Sequence, residues 1–316
     1  MSSDEILETA RALAPTIAKY ADRVEAERRL PAPLADALHD AGLFRMLLPR
    51  SLGGAELDPP TFVQVMEEVA RADASTAWVL GQTAGCSMVA AYLEPAVAKA
   101  IFGPPRGVLA WGSGPQGSAV RVEGGYRLTG SWSYASGIRE ATWVGAHTFV
   151  VNVDGSPRRH ADGGPVIRTL LFPIAQARVT DVWDVMGLRG TGSDTYEVAD
   201  LFVPDAHSAA RDDAAERREQ GPLYCFSSGN LYASGFACVS LGFAFLIEGS
   251  DERRVGSEAE QEAADRLEMI VAPLELLRHR VQIAQPPLPR PAREDGLRAG
   301  GVEHERPDLT AFAAGE

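Results

Sequence analysis

Residues 183–205 read WDVMGLRGTGSDTYEVADLFVPD, a polar, glycine-rich turn running directly into a strand. Gly187, Gly190 and Gly192 stand among Arg189, Thr191 and Ser193, a composition that lets backbone take positive φ and come close to a ligand. From Tyr196 the apolar residues alternate as Tyr196 and Val198, then Leu201 and Val203. This predicts a half-buried strand with one break in phase, stopped by Pro204. On composition alone an ordinary glycine-rich β connection fits equally well, so the rest of the chain has to discriminate.

Upstream, the period of two extends back to Gly107. Val120, Val122, Tyr126 and Leu128 alternate with polar residues around Gly124 and Gly125, which predicts a hairpin, and residues 143–153 and 166–173 continue as short β runs. Residues 112–117, GSGPQG, spell G-x-G-x-x-G, yet the alternating residues 119–123 follow where a dinucleotide fingerprint needs a helix N-terminus for the pyrophosphate. We read them as a loop between strands whose hydroxyl and N–H groups can face a ring or a phosphate. Residues 129–143, TGSWSYASGIREATW, lead Trp132 and Tyr134 into Ser136 and Gly137. Aromatics suit any strand, so a tryptophan-rich β core also accounts for them. Three polar, glycine-bearing loops in order on one β block favour a site.

The N-terminal third reads as helices. Ile6, Leu7, Ala10, Leu13, Ala14 and Ile17 share one helical face, and Leu34, Ala37, Leu38 and Ala41 form a second that Gly42 can end. Asp58, Pro59 and Pro60 supply a cap and a fixed first turn for Phe62, Val65, Met66 and Val69. A fourth helix starts near Ser75; residues 74–91, ASTAWVLGQTAGCSMVAA, carry no charge, which predicts enclosure on most sides. A further apolar helix begins around Leu223. Helices, then strands, then helices predict an α+β fold. The expected division is an N-terminal helical domain at 1–105, a central β domain at 106–215, the start of a C-terminal helical bundle at 216–247, and an atypical, partly disordered tail at 248–316.

With 316 residues, 45% of them hydrophobic, the chain can bury a sizeable core. Its net charge of -13 argues against nucleic acid, whose phosphates demand clustered Lys and Arg. Cys86, Cys225 and Cys238 are odd in number, lack C-x-x-C spacing and have small or apolar neighbours, as buried thiols in a reducing compartment do. The first residues show neither a basic region nor an apolar run, so a cytoplasmic address is expected. The apolar residues 230–247 approach the ~20 residues of a membrane span, but their Gly, Ser and Ala favour a closely packed buried helix. No membrane span is expected. The six histidines show no metal-ligand spacing, so no metal is expected, and the absence of G-x-S-x-G gives a hydrolase little support.

Residues 43–54 (LFRMLLPRSLGG), 70–78 (ARADASTAW), 132–137 (WSYASG) and the opening signature, in this order and spacing, resemble the acyl-CoA dehydrogenase superfamily, in particular its two-component flavin-dependent hydroxylases, which are monooxygenases. The likeness spans about residues 6–244. It implies an acyl-CoA dehydrogenase-like fold: an N-terminal helical domain, a central β-barrel or sandwich domain and a C-terminal helical bundle, with FAD or FMN between the last two. It also implies a separate flavin reductase as partner and a homo-oligomer, a tetramer in this family. By the same resemblance Trp111, Gly112, Ser113, Trp132, Tyr134, Ser136 and Gly137 contact the isoalloxazine. Ser113 and Ser136 are the candidates for catalytic hydroxyls at its reactive edge. Trp78 lines the substrate cavity, while Arg189, Thr191 and Ser193 hold the distal part of the cofactor or serve a subunit contact.

These residue types suit a hydroxylase, which must keep an oxygen-activated flavin dry until an aromatic substrate arrives, because a serine hydroxyl can bond the ring without adding charge. A dehydrogenase needs a carboxylate base α to a thioester, and in that branch the C-terminal bundle provides it. The leading expectation is therefore a reduced-flavin monooxygenase acting on a small aromatic or polycyclic substrate. The alternatives are an FAD-dependent acyl-CoA dehydrogenase and a catalytically silent, truncated remnant. Beyond Phe245 the helical periodicity gives way to a segment rich in Pro, Arg, Gly and Glu, in which neither Glu268 nor His279 has the context of a catalytic base. The expectation is a frameshift or truncation near residues 245–248 and an incomplete bundle. It is contradicted if no other frame of the encoding DNA resumes an amphipathic helix.

Overall fold

Asp58 and Asp73 start the two helices that support the site. Asp58 accepts from the Thr61 N–H at 3.0 Å, and Pro59 and Pro60 occupy a first turn where no N–H is needed, so α3 (Pro59–Ala72) begins where its sequence places it. Asp73 ends α3 and immediately caps α4 (Ala74–Ser87), accepting from Thr76 N–H at 2.6 Å. In the computed structural model, which describes residues 3–211 and 213–250, α4 is buried around nearly its whole circumference, as its lack of charge predicts. Against α3 and α4 packs α1 (Ser3–Glu27); α2 (Ala32–Asp40), which Gly42 follows at φ 74°, lies on α1, and α5 (Pro95–Phe102) contributes to the same core. Ile6, Ala10 and Ile17, Leu34 and Leu38, and Phe62, Val65, Met66 and Val69 close one apolar core. Each of these side chains larger than alanine contributes about 1.5–3 kcal/mol on burial.

The strands are β1 (Leu109–Trp111), β2 (Ser118–Val122), β3 (Gly125–Ala135), β4 (Trp143–Val151), β5 (Ile167–Pro173), β6 (Arg178–Thr180), β7 (Asp194–Pro204) and β8 (Ser208–Ala209). They form one eight-stranded sheet in the order β6-β7-β3-β2-β4-β5-β8, with β1 added beside β4. β1 and β2 run parallel to β4, and the other pairs are antiparallel. Although β7 and β5 are not neighbours in this order, Tyr196 and Val203 share a core with Leu170 and Phe172, so the sheet folds over on itself. The G-x-G-x-x-G segment is the loop from β1 to β2, with Gly114 and Gly117 at φ 64° and 113°, and a strand follows it.

Two β-bulges set the faces of the strands that carry the signature. Leu128 pairs with Leu201 but Gly130 with Val198, so β7 contains one residue more than β3 between these pairs. Asp200 absorbs the extra residue at φ 51° and donates its N–H to Thr129 Oγ1 at 2.9 Å, which is the phase break visible in the sequence. The second bulge lies on β3, between the pairs Trp132–Tyr196 and Ala135–Asp194, with Tyr134 at φ 60°.

Helix α6 (Ser228–Ser250) begins later than the sequence suggests. Pro222–Cys225 form a 3-10 turn first, and Ser227 Oγ then accepts from Asn230 N–H at 3.2 Å, fixing the helix start. α6 lies on α3 and α4, and its small residues permit close approach: a Cβ at Gly242 would stand 2.5 Å from Ala70 Cβ. Among the described residues no helix is long and apolar enough to cross a membrane. Cys86 and Cys238 are buried thiols as expected, whereas Cys225 is only half-buried. Of the tail expected at 248–316, residues 248–250 continue α6, while residue 251 onward, Glu268 and His279 included, lies outside the described residues.

Candidate active site

The end of β3, the turn before β7 and helix α4 converge on one point. Gly137 is left-handed, at φ 78°, and donates its N–H to Thr191 O at 2.9 Å. A Cβ here would lie 2.8 Å from Thr83 Cγ2, so this glycine lets the strand end close on α4. In the signature turn the left-handed positions are Gly192 and, without the help of glycine, Leu188 at φ 55°. Thr191 Oγ1 at 2.9 Å and Trp183 Nε1 at 3.0 Å both donate to Leu188 O, which holds that conformation. Beneath the turn the buried Asp194 carboxylate accepts from Arg139 Nε at 2.8 Å and Nη2 at 3.1 Å, and from the N–H groups of Val182 and Trp183 at 3.1 and 3.2 Å. The Asp194 contact raises the Arg139 pKa above its ordinary value. This pair anchors the loop that presents Trp183.

Above that anchor opens a cavity of about 600 Å³, within the range of small-molecule and cofactor sites. Aromatic groups from four places form its walls: Trp78 of α4, Trp111 of β1, Tyr134 and Trp183 of the β block, and Tyr232 and Phe236 of α6. Trp78 and Phe236 stack with centroids 4.1 Å apart, joining α4 to α6. Into this apolar space the structure sets a line of hydroxyls. Trp78 Nε1 donates to Ser136 Oγ at 3.0 Å, Ser136 Oγ meets Ser193 Oγ at 2.7 Å, and Ser193 Oγ meets Thr191 Oγ1 at 2.7 Å. On the opposite side His147 Nδ1 bonds Thr169 Oγ1 at 2.8 Å, its ring edge-on to Trp111 with centroids 4.7 Å apart. Burial, with the charge of Arg211 adding to it, holds the His147 pKa well below its ordinary 6.5, so the imidazole is neutral. Arg211 lies over the Trp111 ring at 4.9 Å and donates to Ser228 Oγ at 3.2 Å.

Of the residues singled out in the sequence, Trp78, Trp111, Gly112, Ser113, Tyr134, Ser136, Thr191 and Ser193 line this cavity. Three do not. Trp132 points the other way along β3, stacks on Tyr196 inside the β core and donates its Nε1 to His147 O at 2.8 Å. The bulge after it turns Tyr134 and Ser136 to the site. Gly137 is the joint to α4 described above. Arg189 faces away, donating to Asp184 Oδ1 at 2.7 Å, Val185 O at 3.0 Å and Glu25 O at 3.3 Å, and so fastens the turn to α1. Sequence reasoning missed Gln82, His147, Trp183, Arg211, Tyr232 and Phe236. Trp183 opened the signature and could have been included. The others belong to elements whose rotation only packing decides.

The family model described as acyl-CoA dehydrogenase, N-terminal domain, matches residues 2–102. The oxygenase subunit HsaA of a flavin-dependent monooxygenase from Mycobacterium tuberculosis is 32% identical over 248 residues, covering 74% of this chain and 59% of its own length. The chain belongs to the acyl-CoA dehydrogenase superfamily. Its relatives there are flavin-dependent monooxygenases. The oxygenase component of the FADH(2)-dependent resorcinol hydroxylase of a Rhizobium species is 33% identical over 66% of this chain and 50% of its own. The crystal structure of the M. tuberculosis HsaA monooxygenase superposes with a TM-score of 0.79 at 26% identity, covering 90% of this chain and 78% of that one. XiaF from Streptomyces, in complex with FADH2 and glycerol, follows at 0.68 and 30%, over 76% and 60%. The chain thus spans about 59% of HsaA and 50% of the resorcinol hydroxylase.

Proposed function

We propose that this chain is the oxygenase of a two-component system: it takes reduced FAD or FMN from a separate flavin reductase and hydroxylates a small aromatic or polycyclic substrate. The observation that carries this reading is the cavity itself, walled by six aromatic rings and furnished with an uncharged hydroxyl line. Flat apolar walls suit both an isoalloxazine and an aromatic substrate, and hydroxyls can bond a ring edge without introducing charge. A bound reduced flavin would supply the electrons with which oxygen is activated. The protein's own part is to enclose, orient and keep dry. Ser136, fixed by Trp78 and Ser193, offers the ring a hydrogen-bond partner, with Ser113 nearby on the β1–β2 loop. Trp78, Phe236 and Tyr232 exclude water from the α4–α6 side, and His147, neutral and buried, adds no charge to the wall. Arg189, which lies away from the cavity, serves the fold by tying the signature turn to α1. The relatives include proteins named indole-3-acetate monooxygenase, resorcinol hydroxylase and p-hydroxyphenylacetate 3-hydroxylase, which supports an aromatic substrate. A cytoplasmic, tetrameric assembly belongs to the same reading.

Spectra and flavin titrations of the purified chain test the proposal. Preferential binding of reduced FMN or FAD supports the oxygenase. Tight retention of oxidised FAD that an acyl thioester bleaches without oxygen would establish the dehydrogenase instead, and failure to bind either form would leave a silent remnant.

A further inference from the structure

The line of hydroxyls has a direction, and both of its ends fix it. At one end the indole Nε1 of Trp78 can only donate, so Ser136 Oγ is an acceptor there at 3.0 Å. At the other end Leu188 O can only accept, so Thr191 Oγ1 gives its proton to it at 2.9 Å. With the Thr191 proton engaged, the 2.7 Å contact between Thr191 and Ser193 requires the Ser193 proton, since two oxygen lone pairs facing each other at that distance repel. The Ser193 proton being used, the 2.7 Å contact between Ser193 and Ser136 requires the Ser136 proton. The donors therefore run Trp78 to Ser136 to Ser193 to Thr191 to Leu188 O. All five residues line the cavity. Every hydroxyl proton of the line is committed inside the protein, and only lone pairs remain for a ligand.

An acceptor-only wall discriminates between oxidation states of a flavin. The central ring of reduced flavin carries an N–H that can donate. The oxidised ring has only a lone pair at that nitrogen, which would confront the lone pairs of the wall. Leaving that pair of acceptors in contact without water costs on the scale of a lost hydrogen bond. We propose that the Trp78–Ser136–Ser193–Thr191 line, oriented by Leu188 O, makes this wall a hydrogen-bond acceptor and thereby sets a preference for reduced over oxidised isoalloxazine. This rests on the flavin reading above and adds the residues that choose the oxidation state. Thr191 and Ser193 act here as positioning residues, because their effect passes through the Ser136 proton.

Anaerobic titrations of the whole chain with dithionite-reduced and with oxidised FMN and FAD read the effect directly as a ratio of dissociation constants. Wild type binds the reduced form more tightly, by about tenfold or more, the scale of one hydrogen bond. Thr191→Val keeps the side-chain shape but releases the Ser193 proton, and Ser193→Ala releases that of Ser136. Each variant gains a donor that an oxidised ring can accept, so the ratio falls in both, chiefly by tighter binding of the oxidised form. Trp78→Phe leaves the direction set from Leu188 and keeps the ratio while weakening both forms. A pattern that spares Trp78→Phe separates proton direction from general damage to the pocket. If both forms bind and the ratio is equal in wild type, or is unchanged in Thr191→Val and Ser193→Ala, the inference is overturned while the flavin reading stands. If neither form binds to wild type, the flavin reading fails and takes the inference with it.

Discussion

Ser136 Oγ is held by α4 through Trp78 and by the signature turn through Ser193, so its removal is felt on both sides. Ser136→Ala leaves a part-buried indole N–H without its acceptor and the Ser193 oxygen without its donor, and should lower stability by about 1–3 kcal/mol in denaturant titration. Reduced flavin should also bind more weakly. His147 gives a pH signature. Its folded pKa lies well below 6.5, mainly through burial, so between that lowered value and 6.5 the unfolded chain binds a proton that the native chain does not. Stability from His147 is complete above 6.5 and is lost as pH falls through this window. His39 and His207 are shifted in the same direction by burial, so the comparison must isolate one site. The thermal midpoint of His147→Gln should fall less steeply with acid than that of wild type; equal slopes would remove His147 from the account.

Elements meet here through small residues and caps. A Cβ at Gly85 would lie 2.4 Å from Tyr232 Cε1, so Gly85→Ala pushes α6 away from α4 on the side where Tyr232 and Phe236 close the cavity. The expected cost is about 1–3 kcal/mol of overpacking, accompanied by weaker flavin binding; a fully stable variant with unchanged binding would show that α6 does not shape the site. Asp58→Ala, which removes the α3 cap far from the cavity, should cost about 1 kcal/mol in the same titration and leave flavin affinity alone. At this scale much was legible in the sequence. The Asp58-Pro59-Pro60 start, the enclosure of α4 and the position of the bulge on β7 follow from local residue chemistry. The late start of α6 was not legible, because the competing 3-10 turn at Pro222–Cys225 is equally apolar and the capping Ser227 is one of several serines.

Across the whole molecule the site joins segments far apart in sequence: α4, β1, the end of β3, the signature turn and α6. The polar loops could be recognised because glycines and hydroxyls at strand ends have few structural uses that require such a pattern. Which face each residue takes could not. Trp132 and Tyr134 look alike in the sequence, and a bulge of one residue sends the first into the β core and the second to the cavity. Arg189 looked like a cofactor ligand, yet α1 was close enough to claim it. His147 and Arg211 gave no local signal, since their importance arises only when β4 and the segment before α6 close around Trp111. Arg139 and Asp194 link these parts; Asp194→Ala leaves Arg139 only Asp181, at 2.8 Å, and takes the acceptor from the Val182 and Trp183 N–H groups, and should cost about 1–3 kcal/mol. The most direct test of the oxygenase reading is turnover of the intact chain with reduced FMN or FAD, isotopically labelled oxygen gas, and resorcinol, p-hydroxyphenylacetate or indole-3-acetate. The account predicts a hydroxylated product carrying one labelled oxygen atom, formed only when reduced flavin is supplied. Tightly bound oxidised FAD that an acyl thioester reduces in the absence of oxygen, with no transfer of label to any aromatic, would contradict it.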